Sequence, residues 1–343
     1  MSLSNSRVLL IGGTGFIGSR LARQLLLQAR SVVLTVRNLA DSALLERQGF
    51  ETHLGDVNFP ETITPVVKGC DVVFYLAAGS GSLQDARRIN VEGTRAVLQA
   101  AIDNSVERFV YASTVAVYGE TLPERVTEDF PLTTAGLPYT VSKVEAEKLI
   151  LEYEEKYQAP VVIVRPTLVF GPGSANWTTG IIDRLKYDKI FLIGNGQGIA
   201  NLIYVDDLVE LLIKVSSDER ALGRVFHGTN PELVTWKEYL YGYADLLGKR
   251  HIPEVSRRMA PRLCAYCTME SRFTRLSPPI NIYDIGLQTN RTIFDAEKAK
   301  TILQFEPKIG LKEGLRKIES WLREEGMIAP TSRTTFTRAT QRD

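Results

Sequence analysis

Val8-Leu9-Leu10-Ile11-Gly12-Gly13-Thr14-Gly15-Phe16-Ile17-Gly18 reads as a strand, a glycine loop and the first turn of a helix, in that order. Glycines at 12, 15 and 18 let the backbone turn tightly, approach a pyrophosphate closely and pack helix on strand. The helix start adds free N–H groups and a partial positive charge. The same spacing elsewhere in a chain marks only a turn. With a strand before it and an amphipathic helix after it, the loop reads as a dinucleotide site, with Gly12, Gly13, Thr14, Gly15, Phe16, Ile17 and Gly18 against the cofactor.

Working outward from this loop, short β-branched runs alternate with longer helical patterns up to Arg165. The runs are Val8-Leu9-Leu10-Ile11, Val32-Val33-Leu34-Thr35-Val36, Val72-Val73-Phe74-Tyr75, Phe109-Val110-Tyr111 and Val161-Val162-Ile163-Val164. Runs apolar on both faces, joined by crossover helices, make a parallel sheet between helix layers. The fold class is therefore α/β, a doubly wound Rossmann sheet. Helices are predicted over 18–28, 86–102 and 139–157. Past Arg165 the rhythm breaks into Pro, Gly and Asn loops, with helices predicted over 205–215, 235–247, 295–303 and 311–324. Residues 1–166 read as mainly the dinucleotide-binding domain. Residues 167–328 read as a smaller substrate-binding part with segments returning to the sheet. Residues 329–343, rich in Ser, Thr and Arg, are predicted to be a disordered tail.

At 343 residues the chain can bury a large core without disulfides. Its 41 Lys and Arg balance 40 Asp and Glu, so no global field recruits nucleic acid or an anionic membrane. No apolar stretch approaches the ~20 residues of a membrane helix. Three cysteines and no charged leader before an apolar run point to a cytoplasmic enzyme. Cys264 and Cys267 form a lone C-x-x-C, and His53, His227 and His251 show no ligand spacing, so no metal site is expected. The two thiols read as helix-packing groups. Met259, Leu263 and Tyr266 or Cys267 recur at helical spacing, which predicts a segment packed over a pocket or against the sheet.

Two local features bear on chemistry. Arg37 ends the second strand, about twenty residues past Gly18, where an NAD site would place an acid for the ribose 2′-hydroxyl. A base there favours NADP, with NAD still possible and a solvated arginine as the alternative. Tyr139 and Lys143 stand four apart at a helix start and share one face. An ammonium beside a phenol lowers its pKa and makes it a usable acid or base, as hydride chemistry at a carbonyl requires. Upstream, Val110-Tyr111-Ala112-Ser113-Thr114 is a strand ending in hydroxyl residues at the cofactor edge.

Together these residues resemble the extended short-chain dehydrogenase/reductase family, which includes nucleotide-sugar epimerases, dehydratases and 3β-hydroxysteroid dehydrogenase-like reductases. The resemblance runs from Arg7 to Glu325. It implies that Thr114, with Ser113 as runner-up, hydrogen-bonds the substrate oxygen beside Tyr139. It also implies that Asp56 and Val57 meet the adenine edge, that Leu76, Ala77 and Ala78 line the dinucleotide, and that Asn90 lies under the nicotinamide half. Lys143 would hold the nicotinamide ribose, and Pro166 would end a strand beside the nicotinamide ring. In many relatives the helices 86–102 and 139–157 form a homodimer interface.

Departures from the family pattern narrow the reaction. Dehydratases carry acids after the Ser or Thr, where this chain has Val115 and Ala116. Epimerases carry an asparagine where this chain has Leu168, and polar residues where it has Ala200-Asn201-Leu202. The resemblance thus implies an NADP-dependent reductase of a ketone or aldehyde, or a secondary-alcohol dehydrogenase, with an apolar pocket. The alternatives are a nucleotide-sugar 4-epimerase, with arginines at 257, 258, 262, 272 and 275 on a diphosphate, and a non-catalytic NADP-sensing regulator.

Overall fold

Val8 and Leu10 pack into one buried cluster, Leu9 and Ile11 into another on the opposite face of the same strand. The period-two alternation of a strand sends successive side chains to opposite faces, so a run apolar throughout needs a helix layer on each side. The computed structural model describes residues 2–274 and 282–328. The expected tail at 329–343 lies outside them, as does Arg275.

The main sheet has seven parallel strands: β1 (Arg7–Ile11), β2 (Ser31–Val36), β3 (Glu51–Leu54), β4 (Val72–Tyr75), β5 (Arg108–Ala112), β6 (Val161–Pro166) and β7 (Val225–Gly228). Their order is β7-β6-β5-β4-β1-β2-β3, with Val8 in register between Val32 and Val72. The chain grows outward from β1 in one direction and resumes at β4 in the other. The crevice beyond the C-terminal ends of β1 and β4 is the topological switch point, where such sheets bind ligands. Two strands fall outside the apolar runs of the sequence. Glu51–Leu54 is a polar edge strand, and Val225–Gly228 comes from the second half of the chain to pair with β6.

Helix α1 (Phe16–Leu26) buries Leu21, Ala22 and Leu25 against β1 and β2. The helix predicted over 86–102 is divided: Leu83–Arg87, a widened turn over Arg88–Gly93, then α2 (Thr94–Asp103). The widened turn accommodates Tyr75, whose hydroxyl donates to Ile89 O at 2.6 Å, and a Cβ on Gly93 would sit 2.6 Å from that hydroxyl. Helix α3 (Pro138–Tyr157) starts with Pro at its first position and buries Lys143 and Glu147 among apolar neighbours. Helix α4 (Val205–Ser217) packs against α1. In the second half the chain forms short parallel pairs such as Leu202–Tyr204 beside Leu168–Phe170, whose Val169, Phe170, Ile203 and Tyr204 belong to the same buried cluster as Val8 and Leu10. No helix among the described residues is long and apolar enough to cross a membrane.

The helical periodicity around Met259 holds for Leu263 and Cys267, which pack on the cluster around Ile193, and is corrected for Met259 and Tyr266. In α5 (Ala260–Thr274), Ala260, Cys264 and Cys267 form the buried face against Ile193, while Met259 and Tyr266 are exposed. The sequence offers two overlapping stripes, and only the position of Ile193 selects between them.

Arg108, at the start of β5, is buried with Nε and Nη1 lacking partners, and its Nη2 reaches the exposed Glu219 at 3.4 Å. A poorly paired buried cation costs more in desolvation than the pair returns. Arg108→Met is expected to raise the free energy of unfolding by about 1–2 kcal/mol. Chemical denaturation measures this, and a fall would show that the guanidinium is well solvated by its surroundings.

Candidate active site

The glycine loop closes tightly on its neighbours. Gly12 has φ +86°, and a Cβ there would lie 2.8 Å from Ala77 N and 2.9 Å from Leu76 C. A Cβ on Gly18 would lie 2.1 Å from Gly12 O and 2.8 Å from Gly13 Cα. A Cβ on Gly15 would meet only Gly12 O, at 3.4 Å, so the loop opens outward at this residue. Gly15 is also the N-cap of α1, which has no side-chain cap and no acid in its first turn. Uncapped N–H groups at an unblocked glycine suit a pyrophosphate. Thr14 lies in the same loop, and Leu76, Ala77 and Ala78 continue β4 alongside it.

The other sequence-derived positions spread along the same sheet edge. Arg37 is exposed just past β2, and Asn38 caps the following helix by accepting from Asp41 N at 2.8 Å. Asp56 follows β3 and is half-buried, its Oδ1 accepting from Asn58 N and Nδ2, each at 2.9 Å. Val57 packs partly on the core beside α2.

Asn90 lies on the widened turn Arg88–Gly93. Its side chain is fully buried: Nδ2 donates to Gly79 O at 3.0 Å and Ser142 Oγ at 2.8 Å, and Oδ1 accepts from Gly79 N at 2.7 Å. Both amide hydrogens are engaged by protein, so Asn90 ties the loop after β4 to α3 instead of offering donors to a cofactor.

Thr114 caps the turn Val115–Tyr118 by accepting from Ala116 N at 3.2 Å, and it lies close enough to the Tyr139 hydroxyl to act on its pKa. Ser113 Oγ is buried without a partner. Burial pushes the Tyr139 phenol up to about 12, with Thr114 acting the other way. The expectation that Lys143 lowers this phenol is thus corrected. Lys143 Nζ instead donates to Tyr111 Oη at 2.9 Å and Ala112 O at 2.6 Å, because its stem runs down into the sheet at the end of β5. Burial brings its amine down to about 7, opposed by the charge of Glu147.

Tyr139, Thr114, Ser113 and Pro166 share one cavity of about 550 Å³ with Phe16 and Ile17 of the glycine loop. Its walls are Leu122, Leu168, Trp177, Trp236, Leu287 and Phe294. Some polar lining groups are engaged elsewhere: the Asn201 amide serves Thr292 O and Phe294 N, and the Thr292 hydroxyl donates to Pro123 O at 2.7 Å; Glu120, Asn176 and Trp236 also line it, the Trp236 Nε1 buried without a partner. Among the described residues, no Lys or Arg lines this cavity. Arg257, Arg258 and Arg262 are exposed away from it, and the side chain of Arg272 lies outside the described residues.

Sequence reading missed Trp177 on the helical turn Ala175–Thr179, Trp236 at the start of the helix Trp236–Leu246, and Tyr283 of α6 (Ile282–Thr289), all of which line the cavity. It also missed Glu147, which the spacing of four beyond Lys143 could have exposed.

Comparison with known families matches residues 8–226 to the NAD dependent epimerase/dehydratase family. The chain is 26% identical over 328 residues to sterol-4-alpha-carboxylate 3-dehydrogenase, decarboxylating, of Mus musculus, covering 90% of this chain and 88% of that protein. It is 25% identical over 333 residues to a 2-alkyl-3-oxoalkanoate reductase of Stenotrophomonas maltophilia, covering 92% and 98%. The structure of a UDP-glucose 4-epimerase from Thermotoga maritima shares the fold, with a TM-score of 0.75 at 20% identity over 93% of this chain and 99% of that one. Since the family match spans well over half of the chain, from β1 into β7, this protein belongs to the NAD dependent epimerase/dehydratase family of extended short-chain dehydrogenase/reductases.

Proposed function

We propose that the protein is an NADP-dependent reductase of an apolar ketone or aldehyde, or the dehydrogenase of the corresponding secondary alcohol. The observation that carries this reading is the cavity: largely apolar walls, no lining cation among the described residues while a carboxylate, Glu120, is present, and the hydroxyls of Ser113, Thr114 and Tyr139 together among the lining groups. A sugar diphosphate would have to leave its charges there without a cation, at a cost of several kcal/mol. A ketone asks only for a proton donor at its oxygen. The names of two relatives, one acting on sterol carboxylates and one on 2-alkyl-3-oxoalkanoates, point to the same class.

The residues of the glycine loop, with Leu76, Ala77 and Ala78, would hold the dinucleotide, which supplies or takes up hydride when bound. Tyr139 is protonated at neutral pH, so its Oη–H is the proton donor to the substrate oxygen in the reducing direction. Thr114 orients that oxygen, and Lys143 fixes the end of β5 beneath it. In the oxidising direction Tyr139 must first lose its proton, so alcohol oxidation should rise with pH where reduction does not.

Purified protein should oxidise NADPH with lipophilic ketones or 3-oxoacyl compounds. Inversion of UDP- or dTDP-sugars without added cofactor would overturn the reading, and dinucleotide binding with no turnover of any substrate would make the chain a sensor. Arg37, exposed at the end of β2, is the reason for preferring NADP. Arg37→Asp is expected to weaken NADPH binding roughly ten- to hundredfold, the worth of one charge-assisted hydrogen bond, and to leave NADH binding unchanged. Fluorescence titration with both cofactors decides this, and equal effects would make Arg37 a solvated strand-end residue.

A further inference from the structure

A buried charged network lies outside the cavity lining, on the elements that carry the site. Tyr139, Lys143 and Glu147 follow at intervals of four along α3 and share a face. Glu147 is fully buried, and both its carboxylate oxygens accept from Arg165 Nε at 3.0 Å, with Nη2 on Oε2 at 2.5 Å. Arg165 Nη1 donates to Tyr118 Oη at 2.6 Å and Glu128 O at 2.8 Å. The Tyr118 hydroxyl, having accepted from Arg165, turns its own hydrogen to His227 Nε2 at 2.6 Å. His227 is then neutral with its proton on Nδ1, which donates to Asp295 O at 2.9 Å, and burial brings its pKa down to about 4.

Arg165 thereby joins three pieces of the site. Glu147 belongs to the helix of Tyr139, Tyr118 ends the turn that Thr114 opens, and Arg165 precedes Pro166 of the cavity wall. Stability alone does not call for such a pair, since well-packed apolar residues of the same volume would hold these elements at least as firmly.

The network also bears on Lys143. Facing it are Tyr111 of β5, with Tyr75 of β4 beside that ring, and Tyr139 and Glu147 of its own helix, with Arg165 of β6 beyond Glu147. Glu147 is the acid whose charge reaches Lys143. Arg165 donates to both of its oxygens, and the Lys143 amine bonds to Tyr111 and Ala112.

We propose that Arg165 is a positioning residue: by gripping Glu147 and Tyr118 at once, it locks the helix of Tyr139 and Lys143 to the turn of Thr114 and keeps Glu147 from claiming the Lys143 amine. The proposal rests on the reading of those three residues as the reacting group and its neighbours.

Its test needs no substrate. The full-length protein is labelled with ¹³C-lysine, Lys143 is assigned by its loss in Lys143→Met, and its titration is followed by NMR. Arg165→Met should raise the midpoint by about one pH unit or more as Glu147 turns toward the amine, and Glu147→Gln should lower it. Shifts of opposite sign support the proposal, whereas no shift, or shifts of one sign, overturn it. Should Arg165→Met fail to fold, Arg165→Lys keeps a cation for Glu147 but loses the fork that reaches Tyr118. That variant should keep the Lys143 midpoint and lower kcat about tenfold at unchanged KM, measured with NADPH and a ketone the native protein reduces. A raised KM at native kcat would overturn the positioning role. If the native protein reduces no ketone, the reaction assigned above fails while the titrations still decide the proposal.

Discussion

Tyr139→Phe is expected to lower kcat for ketone reduction by about a thousandfold, within the range that a positioned general acid contributes. In the proposed reaction the phenol would be the donor: as hydride reaches the carbonyl carbon, the oxygen must gain a proton, and burial pushes the Tyr139 phenol up to about 12, so it carries one at neutral pH. Thr114, which accepts from Ala116 N, lines the same cavity. Phenylalanine preserves the ring and removes the proton. Dinucleotide affinity should stay at the native value, because the pyrophosphate cradle lies on α1 and not on α3. Stopped-flow single turnover with NADPH separates the two, and a variant with native turnover would remove Tyr139 from the chemistry.

Gly18→Ala should have the second largest effect, reached by another route. The added Cβ would fall 2.1 Å from Gly12 O and 2.8 Å from Gly13 Cα, which are backbone atoms that no side-chain rotation can clear. Either α1 tilts away from β1 or the loop opens. The overpacking should cost about 1–3 kcal/mol of stability. A displacement of the N–H groups by about 1 Å is enough to lower dinucleotide affinity on the order of a hundredfold. Gly15→Ala is the control: its φ of −75° accepts alanine and its Cβ has room, so this variant should keep its thermal stability. Thermal unfolding with and without NADPH reads both quantities. Native stability and affinity in Gly18→Ala would mean that the loop is looser than its glycines imply.

Much of this was legible in the chain itself, and for a physical reason. Strands buried on both faces must be apolar throughout, so Val8 to Ile11, Val72 to Tyr75 and Val161 to Val164 announce themselves locally. Edge strand Glu51–Leu54 is covered on fewer sides and carries no such signal. Asn90 shows the limit for site residues. The resemblance places it under the nicotinamide half, but its side-chain partners, Gly79 and Ser142, come from elements that local sequence does not connect to it.

By itself, the sequence determined the doubly wound sheet, the strand–loop–helix of the glycine loop and the helix that carries Tyr139 and Lys143, because each is written in residues close along the chain. Only the tertiary structure decided where Lys143 sends its amine, which stripe of α5 is buried, and that Arg165 meets Glu147 and Tyr118. It also brought Trp177 and Trp236 to opposite Tyr139 as walls of one cavity. These are contacts between residues tens of positions apart, and burial, which sets both the charge of Lys143 and the proton of Tyr139, exists only once the elements have packed.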